Sequence, residues 1–302
     1  MNPVVAKDIR KSYGATEALR GVSFEARRGE IFGIIGPDGA GKTSLFRILA
    51  TLILADSGTA TVGGFDVVED YKQIRQRIGY MPGRFSLYQD MSVEENLSFF
   101  AALFGTTIAE NYHLIGDIYK FLEPFKDRRA GNLSGGMKQK LALCCALIHK
   151  PDVLYLDEPT TGVDPVSRKE FWEMLKRLQE QGITIVVSTP YMDEATLCDR
   201  IALIKSGRFM TIDTPGNIVR GFGGTLWRAR SAEMFRLLTD LRRYPGTDNC
   251  YVSGETHHFT VKDSGFDPAE LKDYLAAKGH TEIVVGRTEP TVEDCYMQLA
   301  RT

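Results

Sequence analysis

The feature that most constrains this chain is the stretch GPDGAGKTS, which begins at Gly36. It matches the form G-x-x-x-x-G-K-S/T up to Thr43. Its glycines let the backbone wrap so that successive N–H groups point into one concavity, and a following helix adds the positive end of its dipole. A glycine-rich turn that contains Lys-Thr by coincidence is the alternative. However, Ile31–Ile35 is typical of a buried strand and Thr43 onward has helical periodicity, which favours a phosphate-binding loop in an α/β fold.

Each residue of this loop is a candidate for binding phosphate groups: Gly36, Pro37, Asp38, Gly39, Ala40, Gly41, Lys42, Thr43 and Ser44. Lys42 would reach the β- and γ-phosphate oxygens, and the Thr43 hydroxyl would ligate Mg²⁺. Asp38 stands where such loops more often carry a neutral residue. Either its charge weakens the attraction for phosphate, or its side chain points into solvent.

A second candidate for metal binding is the stretch VLYLDEPT, in which four apolar residues precede Asp157 and Glu158. We expect Asp157 to hold Mg²⁺ through water and Glu158 to polarise the attacking water as a general base. A strand that simply ends in two solvated acids is the alternative. The phosphate-binding loop earlier in the chain favours the metal site.

A third motif, LSGGMKQ, combines serine and two glycines at the start of a helical pattern. Backbone donors there form an anion site, with Ser134 as the expected N-cap. A second anion site makes sense if the motif of one subunit covers the nucleotide of another. The residues that would act in this way are Leu133, Ser134, Gly135, Gly136, Met137, Lys138 and Gln139.

With its motifs in this order, the chain resembles the ATP-binding subunit of ABC transporters over residues 3–215. Tyr13, in KSYG, matches the aromatic residue that stacks on adenine, and Asp164, in TTGVDP, matches a subunit contact. The resemblance implies a P-loop NTPase (RecA-like) α/β core with an antiparallel β subdomain and an inserted α-helical subdomain. It also implies that ATP and Mg²⁺ bind, and that Lys42 and Glu158 are catalytic.

Within that family the chain looks most like the exporter group whose membrane subunit is of the ABC-2 type. The stretches that carry this likeness are PVSRKEFWEML and, near residue 293, EPTVEDCYMQL. The likeness implies an integral membrane permease as partner, and drugs, lipids or polysaccharides as substrates. It also implies a location on the cytoplasmic face of the inner membrane. The ATP-binding subunit would form a homodimer or pair with another ATP-binding subunit.

The pattern along the chain predicts two domains, 1–215 and 216–302. Residues 85–149 are rich in Phe, Leu and Ala at helical spacing, which indicates the helical subdomain. Residues 224–302 follow the order β-α-β-β-α-β and then a last helix, which fits a small α+β ferredoxin-like domain. That domain regulates dimerisation, binds a small ligand or acts as a passive brace. His257 and His258 alternate along one of its strands and should therefore face opposite sides.

The composition excludes several classes of protein. Lys and Arg total 37 against 39 Asp and Glu, which gives a net charge of −2. A chain with this balance has no overall positive electrostatic field that would attract nucleic acid. No run of about 18 apolar residues is present, so no membrane span is expected. The beginning of the chain lacks the pattern of a secretion signal, and its five cysteines have no metal-ligand spacing. A cytoplasmic protein with reduced thiols is therefore expected.

Two positions depart from the family pattern. In ITIVVSTPYMDEA, Pro190 stands where the family has a histidine that contacts the γ-phosphate. Proline has neither a side-chain donor nor an N–H and cannot replace that contact. In GYMPGRF, Gly83 stands where a glutamine normally approaches the metal and the attacking water. Gln89 lies six residues further on and is not expected to substitute for it.

The sequence leaves three functions open. In the first, Glu158, Lys42 and the opposing Ser134 support slow hydrolysis that drives export. In the second, the chain is an ATP-gated clamp with little turnover. In the third, it is a soluble ABC-type ATPase that acts on ribosomes or DNA, although such proteins usually carry two ATPase units or long basic insertions.

Overall fold

The first of two structural units, residues 1–216, contains two sheets and a set of helices. The computed structural model describes residues 2–263 and 265–301. In chain order the strands and helices of this unit are β1 (Val4–Tyr13), β2 (Thr16–Ala26), β3 (Ile31–Ile35), α1 (Lys42–Leu49), β4 (Ser57–Val62), β5 (Phe65–Asp66), α2 (Tyr71–Arg75), β6 (Ile78–Met81), α3 (Val93–Leu103), α4 (Tyr112–Tyr119), α5 (Gly135–Leu147), β7 (Val153–Asp157), α6 (Pro165–Glu180), β8 (Thr184–Thr189), β9 (Arg200–Lys205) and β10 (Arg208–Asp213).

The larger sheet has six strands in the order β10-β9-β3-β8-β7-β6. All of them run parallel except β10, which is antiparallel to β9. Strands β3, β7 and β8 are buried along their whole length, which explains their continuous apolar sequences. The smaller sheet, in the order β2-β1-β4-β5, is antiparallel. This is the predicted α/β core with an antiparallel β subdomain.

The register of the parallel strands determines where the candidate site forms. Ile35 is level with Thr189 in the β3–β8 pair, and Asp157 is level with Ser188 in the β7–β8 pair. The carboxyl ends of three neighbouring strands therefore meet at one edge of the sheet. Ligand sites of open α/β sheets form in the crevice at such an edge.

Helices α3, α4 and α5 lie between β6 and β7 in the chain, within the region where the sequence predicts a helical subdomain. Ser92 and Glu95 form a capping box that fixes the start of α3. The buried Asn96 accepts a hydrogen bond from Tyr88 N and donates one to Tyr88 O, at 3.0 and 2.9 Å. These contacts hold the segment before α3 against the helix.

The second unit, residues 217–302, has a sheet of its own. Its elements are β11 (Leu226–Arg230), α8 (Met234–Arg243), β12 (Thr247–Ser253), β13 (Thr256–Val261), α9 (Pro268–Ala277), β14 (Val284–Arg287) and α10 (Val292–Leu299). The antiparallel strand order is β12-β13-β11-β14, and the elements follow one another in the order β-α-β-β-α-β that the sequence predicts. A short helix, α7 (Pro215–Arg220), precedes β11 in the chain. This helix was not among the elements predicted from the sequence.

Helix α10 is attached to the second unit by a buried carboxylate. Asp294 is fully buried, and its Oδ1 accepts a hydrogen bond from the Tyr251 hydroxyl at 2.8 Å and lies 2.7 Å from His258 Nδ1. Its Oδ2 accepts bonds from the backbone N–H and the hydroxyl of Thr291, both at 2.7 Å. Burial by itself would raise the pKa of Asp294, but the bonds from His258, Thr291 and Tyr251 outweigh it and hold this pKa below its ordinary value.

None of the helices in residues 2–263 and 265–301 combines the length and the apolar character that crossing a membrane requires.

We expect Asp294→Asn to lower the free energy of opening of α10 by about 2–4 kcal/mol at pH 7, because buried donors lose their charged acceptor. Since the folded pKa lies below the unfolded one, the charged form stabilises the fold above a pH of about 4. This stabilisation is lost as the pH falls through the folded pKa. Hydrogen exchange of α10 amides, followed by mass spectrometry at pH 7 and pH 3, measures both effects.

Asp248→Asn is the matched control, since Asp248 is partly exposed and pairs with Arg301 at 2.7 Å. We expect Asp248→Asn to lower the free energy of opening of α10 by less than about 1 kcal/mol. Equal protection of α10 in the two variants at pH 7 would show that Asp294 does not hold this helix.

Candidate nucleotide-binding site

The loop between β3 and α1 depends on glycine at two positions. Gly41 has φ +105°, and a Cβ there would lie 2.3 Å from Ala18 O. A Cβ at Gly36 would lie 2.3 Å from Ile204 O, so this residue approaches a neighbouring backbone too closely for any side chain. The Gly36 N–H donates to Thr189 O at 3.2 Å, which attaches the loop to the end of β8.

Lys42 is at the centre of the loop, and only 2 % of its surface is exposed. Its Nζ donates to Gly36 O at 2.8 Å and to Pro37 O at 3.0 Å, and lies 3.0 Å from Glu158 Oε1. The Asp38 carboxylate is 3.9 Å away with its side chain 87 % exposed. Of the two alternatives for Asp38, the structure favours the one in which the side chain points into solvent.

Asp157 and Glu158 are held at the end of β7 by a residue that the sequence analysis missed. The Ser188 hydroxyl donates to Asp157 Oδ1 at 2.7 Å and accepts from the Glu158 N–H at 3.0 Å. The same N–H donates to Ser188 O at 3.1 Å, and Glu158 has φ +53°, a left-handed conformation that these bonds stabilise. A serine in the apolar strand ITIVVS was the available signal.

The electrostatics of Asp157 reflect its depth in the protein. Burial raises the pKa of Asp157, and the nearby charge of Glu158 adds to this. Hydrogen bonds from Ser188 and Thr43 and the charge of Lys42 lower the pKa but do not compensate fully. A buried carboxylate of this kind favours a cation as its partner.

Tyr13 and Ser44 lie beside each other at the exposed side of the loop. Tyr13 ends β1 with 49 % of its surface exposed, and its hydroxyl is 3.4 Å from Ser44 Oγ. The ring therefore stands at the start of α1, where a flat ligand group could stack on it.

The LSGGMKQ stretch begins α5. Ser134 is the N-cap and accepts from Met137 N at 3.3 Å, as the sequence predicts. Gly135 lies beside the loop that precedes α6, since a Cβ there would be 3.8 Å from Gly162 O, and Gly136 lies beside the first turn of α6, since a Cβ there would be 3.0 Å from Ser167 Oγ. In the described part of this chain, no hydrogen bond or ion pair joins residues 133–139 to residues 36–44.

Asp164 has a structural role within the chain. It is the N-cap of α6 and accepts from Val166 N at 3.1 Å and Ser167 N at 3.0 Å. The hydrogen bonds from Ser167 are the main reason why the pKa of Asp164 is lowered. The carboxylate is exposed and caps the first turn of α6.

Both departures from the family pattern border this site. A Cβ at Gly83 would lie 3.0 Å from Asp157 O and 3.8 Å from Glu158 Cβ, so the position is tight and adjoins the backbone of Asp157 and the first side-chain carbon of Glu158. Pro190 is half-buried and follows Thr189 at the end of β8. Gln89 is exposed, and its backbone O accepts from Gly131 N at 2.9 Å, which pairs it with the segment before α5.

The sequence matches known proteins over most of its length. A family model described as "ABC transporter" matches residues 19–161. The Nod factor export ATP-binding protein I of Burkholderia lata is 35 % identical over 98 % of this chain and 96 % of its own length. The probable multidrug ABC transporter ATP-binding protein YbhF of Escherichia coli is 42 % identical over 71 % of this chain. The match spans only 38 % of YbhF.

Solved structures give the same result. An ATP-binding subunit of an ABC transporter superposes with a TM-score of 0.67 and 28 % identity over 73 % of this chain and 93 % of its own. A dimeric ATP-binding cassette in a post-hydrolysis state with ADP and Pi superposes with a TM-score of 0.64 and 25 % identity over 70 % of this chain and 98 % of its own. The fold, the order of the motifs and these relatives agree, and the chain belongs to the ABC transporter family as an ATP-binding subunit.

Proposed function

We propose that this chain is the ATP-hydrolysing subunit of an exporter whose pathway is formed by a separate integral membrane permease of the ABC-2 type. One observation carries the hydrolytic part: Lys42 Nζ lies 3.0 Å from Glu158 Oε1 beside the buried Asp157. The export part is supported by the relatives named for Nod factor export, which match both structural units. The substrate belongs to the drugs, lipids or polysaccharides that such exporters move.

The side chains at the sheet edge have distinct roles in this proposal. The backbone N–H groups of residues 36–44 and Lys42 bind the phosphates of ATP, Tyr13 stacks on the adenine, and Glu158 accepts a proton from the attacking water. The Thr43 hydroxyl and the Asp157 carboxylate are oxygen donors of the kind that Mg²⁺ prefers, and they would hold it. Mg²⁺ supplies neutralisation of the phosphate charge when it is bound.

The LSGGMKQ stretch acts on a second subunit. Because residues 133–139 lie beside the Asp164 loop of their own chain, they can present the backbone N–H groups near Ser134 to a partner's γ-phosphate. The partner is a second copy of this chain or a different ATP-binding subunit. In a mixed pair, the intact Ser134 motif completes the partner's site.

An apolar groove of about 490 Å³ offers a docking site for the permease. The subunit would thus bind the permease on the cytoplasmic face of the inner membrane. The large apolar residues that line it include Leu52, Met81, Leu87, Phe100, Leu103 and Phe104. Leu87 lies in the segment between β6 and α3, and Phe100 lies in α3. Leu52 and Leu103 are more than half exposed, so an amphipathic helix of the permease could cover them.

Gly83 and Pro190 favour the ATP-gated clamp as the second candidate function. Neither residue offers a side-chain donor to a γ-phosphate. Since loss of one such donor typically costs about a hundred- to a thousandfold in rate, the clamp differs from the ATPase in turnover and not in ATP binding.

Steady-state ATP hydrolysis distinguishes the two. We expect Glu158→Gln to lower turnover at least about a hundredfold, because it removes the general base. Pro190→His should raise turnover about tenfold, because it restores a donor at the γ-phosphate. A parent chain that binds ATP but is no faster than Glu158→Gln would establish the clamp.

Ser188→Ala tests the role of Asp157 in holding Mg²⁺. We expect the Mg²⁺ concentration for half-maximal hydrolysis to rise about tenfold, because residues that orient a metal ligand contribute about 10- to 100-fold to affinity. Thr184→Val is the control, since it removes a buried hydroxyl from the other end of β8, where that hydroxyl accepts from Gly29 N at 3.0 Å. An equal rise in both variants would contradict a specific role for Ser188.

Leu103→Lys tests the groove, because Leu103 lines it with 64 % of its surface exposed. We expect this variant to lose co-purification with the membrane subunit while it hydrolyses ATP in solution at the parent rate. Val68→Lys is the matched control, since Val68 is 55 % exposed and lies outside the groove. Retention of the membrane subunit by Leu103→Lys would exclude this docking site.

A further inference from the structure

A buried carboxylate lies four residues after Pro190. Glu194 is in the short helical turn Met192–Leu197 with 2 % of its surface exposed. Its Oε1 accepts from the Thr160 hydroxyl at 2.8 Å and from Arg168 Nε at 3.1 Å. Its Oε2 accepts from the Thr189 hydroxyl at 2.5 Å. Both oxygens of Glu194 are therefore hydrogen bonded to side chains of other segments.

These partners come from three parts of the framework around the site. Thr160 lies in the loop that follows Glu158, and Arg168 lies in α6 four residues after Asp164. Thr189 is the last residue of β8. Glu194 thus joins the segment after the general base, the helix that Asp164 caps, and the strand that leads to Pro190.

Thr189 is hydrogen bonded both to the phosphate-binding loop and to the residue that follows Pro190. Its carbonyl O accepts from Gly36 N at 3.2 Å, which is a contact to the phosphate-binding loop. Its hydroxyl donates to Glu194 and accepts from Tyr191 N at 3.1 Å. Thr189 therefore holds the peptide groups both before and after Pro190. Because Pro190 has no donor, the position of this loop depends on the neighbouring residues alone.

The charge of Glu194 is balanced through Arg168. The Arg168 Nη2 atom donates to the exposed Asp193 at 3.0 Å, and its guanidinium lies 4.3 Å from the ring centre of Tyr191. A buried carboxylate is tolerated when its oxygens accept hydrogen bonds from charged or polar donors. Loss of the Glu194 charge would release both α6 and the 189–191 loop.

We propose that Glu194 is a positioning residue for hydrolysis, which couples the Asp164 loop to the 189–191 loop. This inference rests on the proposed ATPase function. When a second subunit contacts Asp164, the start of α6 is fixed, and the Arg168–Glu194–Thr189 contacts transmit that constraint to the edge of the sheet where Glu158 lies. Because both oxygens of Glu194 are hydrogen bonded to Thr160, Arg168 and Thr189, we assign it a role through these residues.

The test compares Glu194→Gln with Asp193→Asn. Both substitutions remove one negative charge that contacts Arg168, but only Glu194→Gln alters the buried contacts. We expect Glu194→Gln to lower kcat about tenfold while KM for ATP stays within about threefold, since the phosphate-binding loop is unchanged. Asp193→Asn should keep the parent kcat. The melting temperature of each variant is measured alongside.

A second pair isolates the loop next to Pro190. Thr189→Val removes the hydroxyl, whereas Thr189→Ser keeps it. We expect Thr189→Val to lower kcat in the same way as Glu194→Gln, and Thr189→Ser to retain at least half of the parent rate. This rescue by the hydroxyl separates positioning from packing.

The outcomes distinguish the two proposals. A parent rate equal to that of Glu158→Gln would overturn both the ATPase function and this inference. A parent that turns over while Glu194→Gln and Thr189→Val stay within twofold of it would overturn the inference alone. So would equal losses of kcat and melting temperature in Thr189→Val and Thr189→Ser, because these would indicate packing only.

Discussion

The candidate site depends on the hydrogen bonds that Ser188 makes across the β7–β8 pair. Its hydroxyl donates to Asp157 and accepts from the Glu158 N–H, so one side chain orients two consecutive carboxylates. The parallel register makes this possible, because it places Asp157 level with Ser188 and Ile35 level with Thr189. Without that register, the phosphate-binding loop and the carboxylates would belong to separate parts of the surface.

The two departures from the family pattern acquire a physical meaning from their surroundings. A Cβ at Gly83 would lie 3.0 Å from Asp157 O, which leaves little room for a side chain. Glycine at this position therefore allows the two backbones to approach closely. Pro190 is flanked by Thr189 and Tyr191, and the backbone N–H of Tyr191 donates a hydrogen bond to the Thr189 hydroxyl. The site therefore relies on Lys42 and the carboxylates, and on a loop that buried contacts hold in place.

In the second unit, as at Glu194 in the first, a buried carboxylate joins separate elements. Asp294 connects α10 to β12 and β13 through Tyr251 and His258, and it caps its own helix through Thr291. The neighbouring His257 contacts Met234 O of α8 instead, so the two histidines serve opposite faces, as their alternation in the sequence predicts. In this unit the sequence predicted the strands and helices but not the bonds that fix the last helix.

The sequence by itself determined the phosphate-binding loop, the strand that ends in Asp157, the cap at Ser134 and the β-α-β-β-α-β order. These are local patterns, in which neighbouring residues set both the backbone conformation and the direction of the side chains. Only the tertiary structure decided the roles of Ser188 and Glu194, the exposure of Asp38 and the tight space at Gly83. Each of these depends on segments that are distant in the chain, such as Thr160 and Thr189 around Glu194, and no local pattern encodes which of them meet.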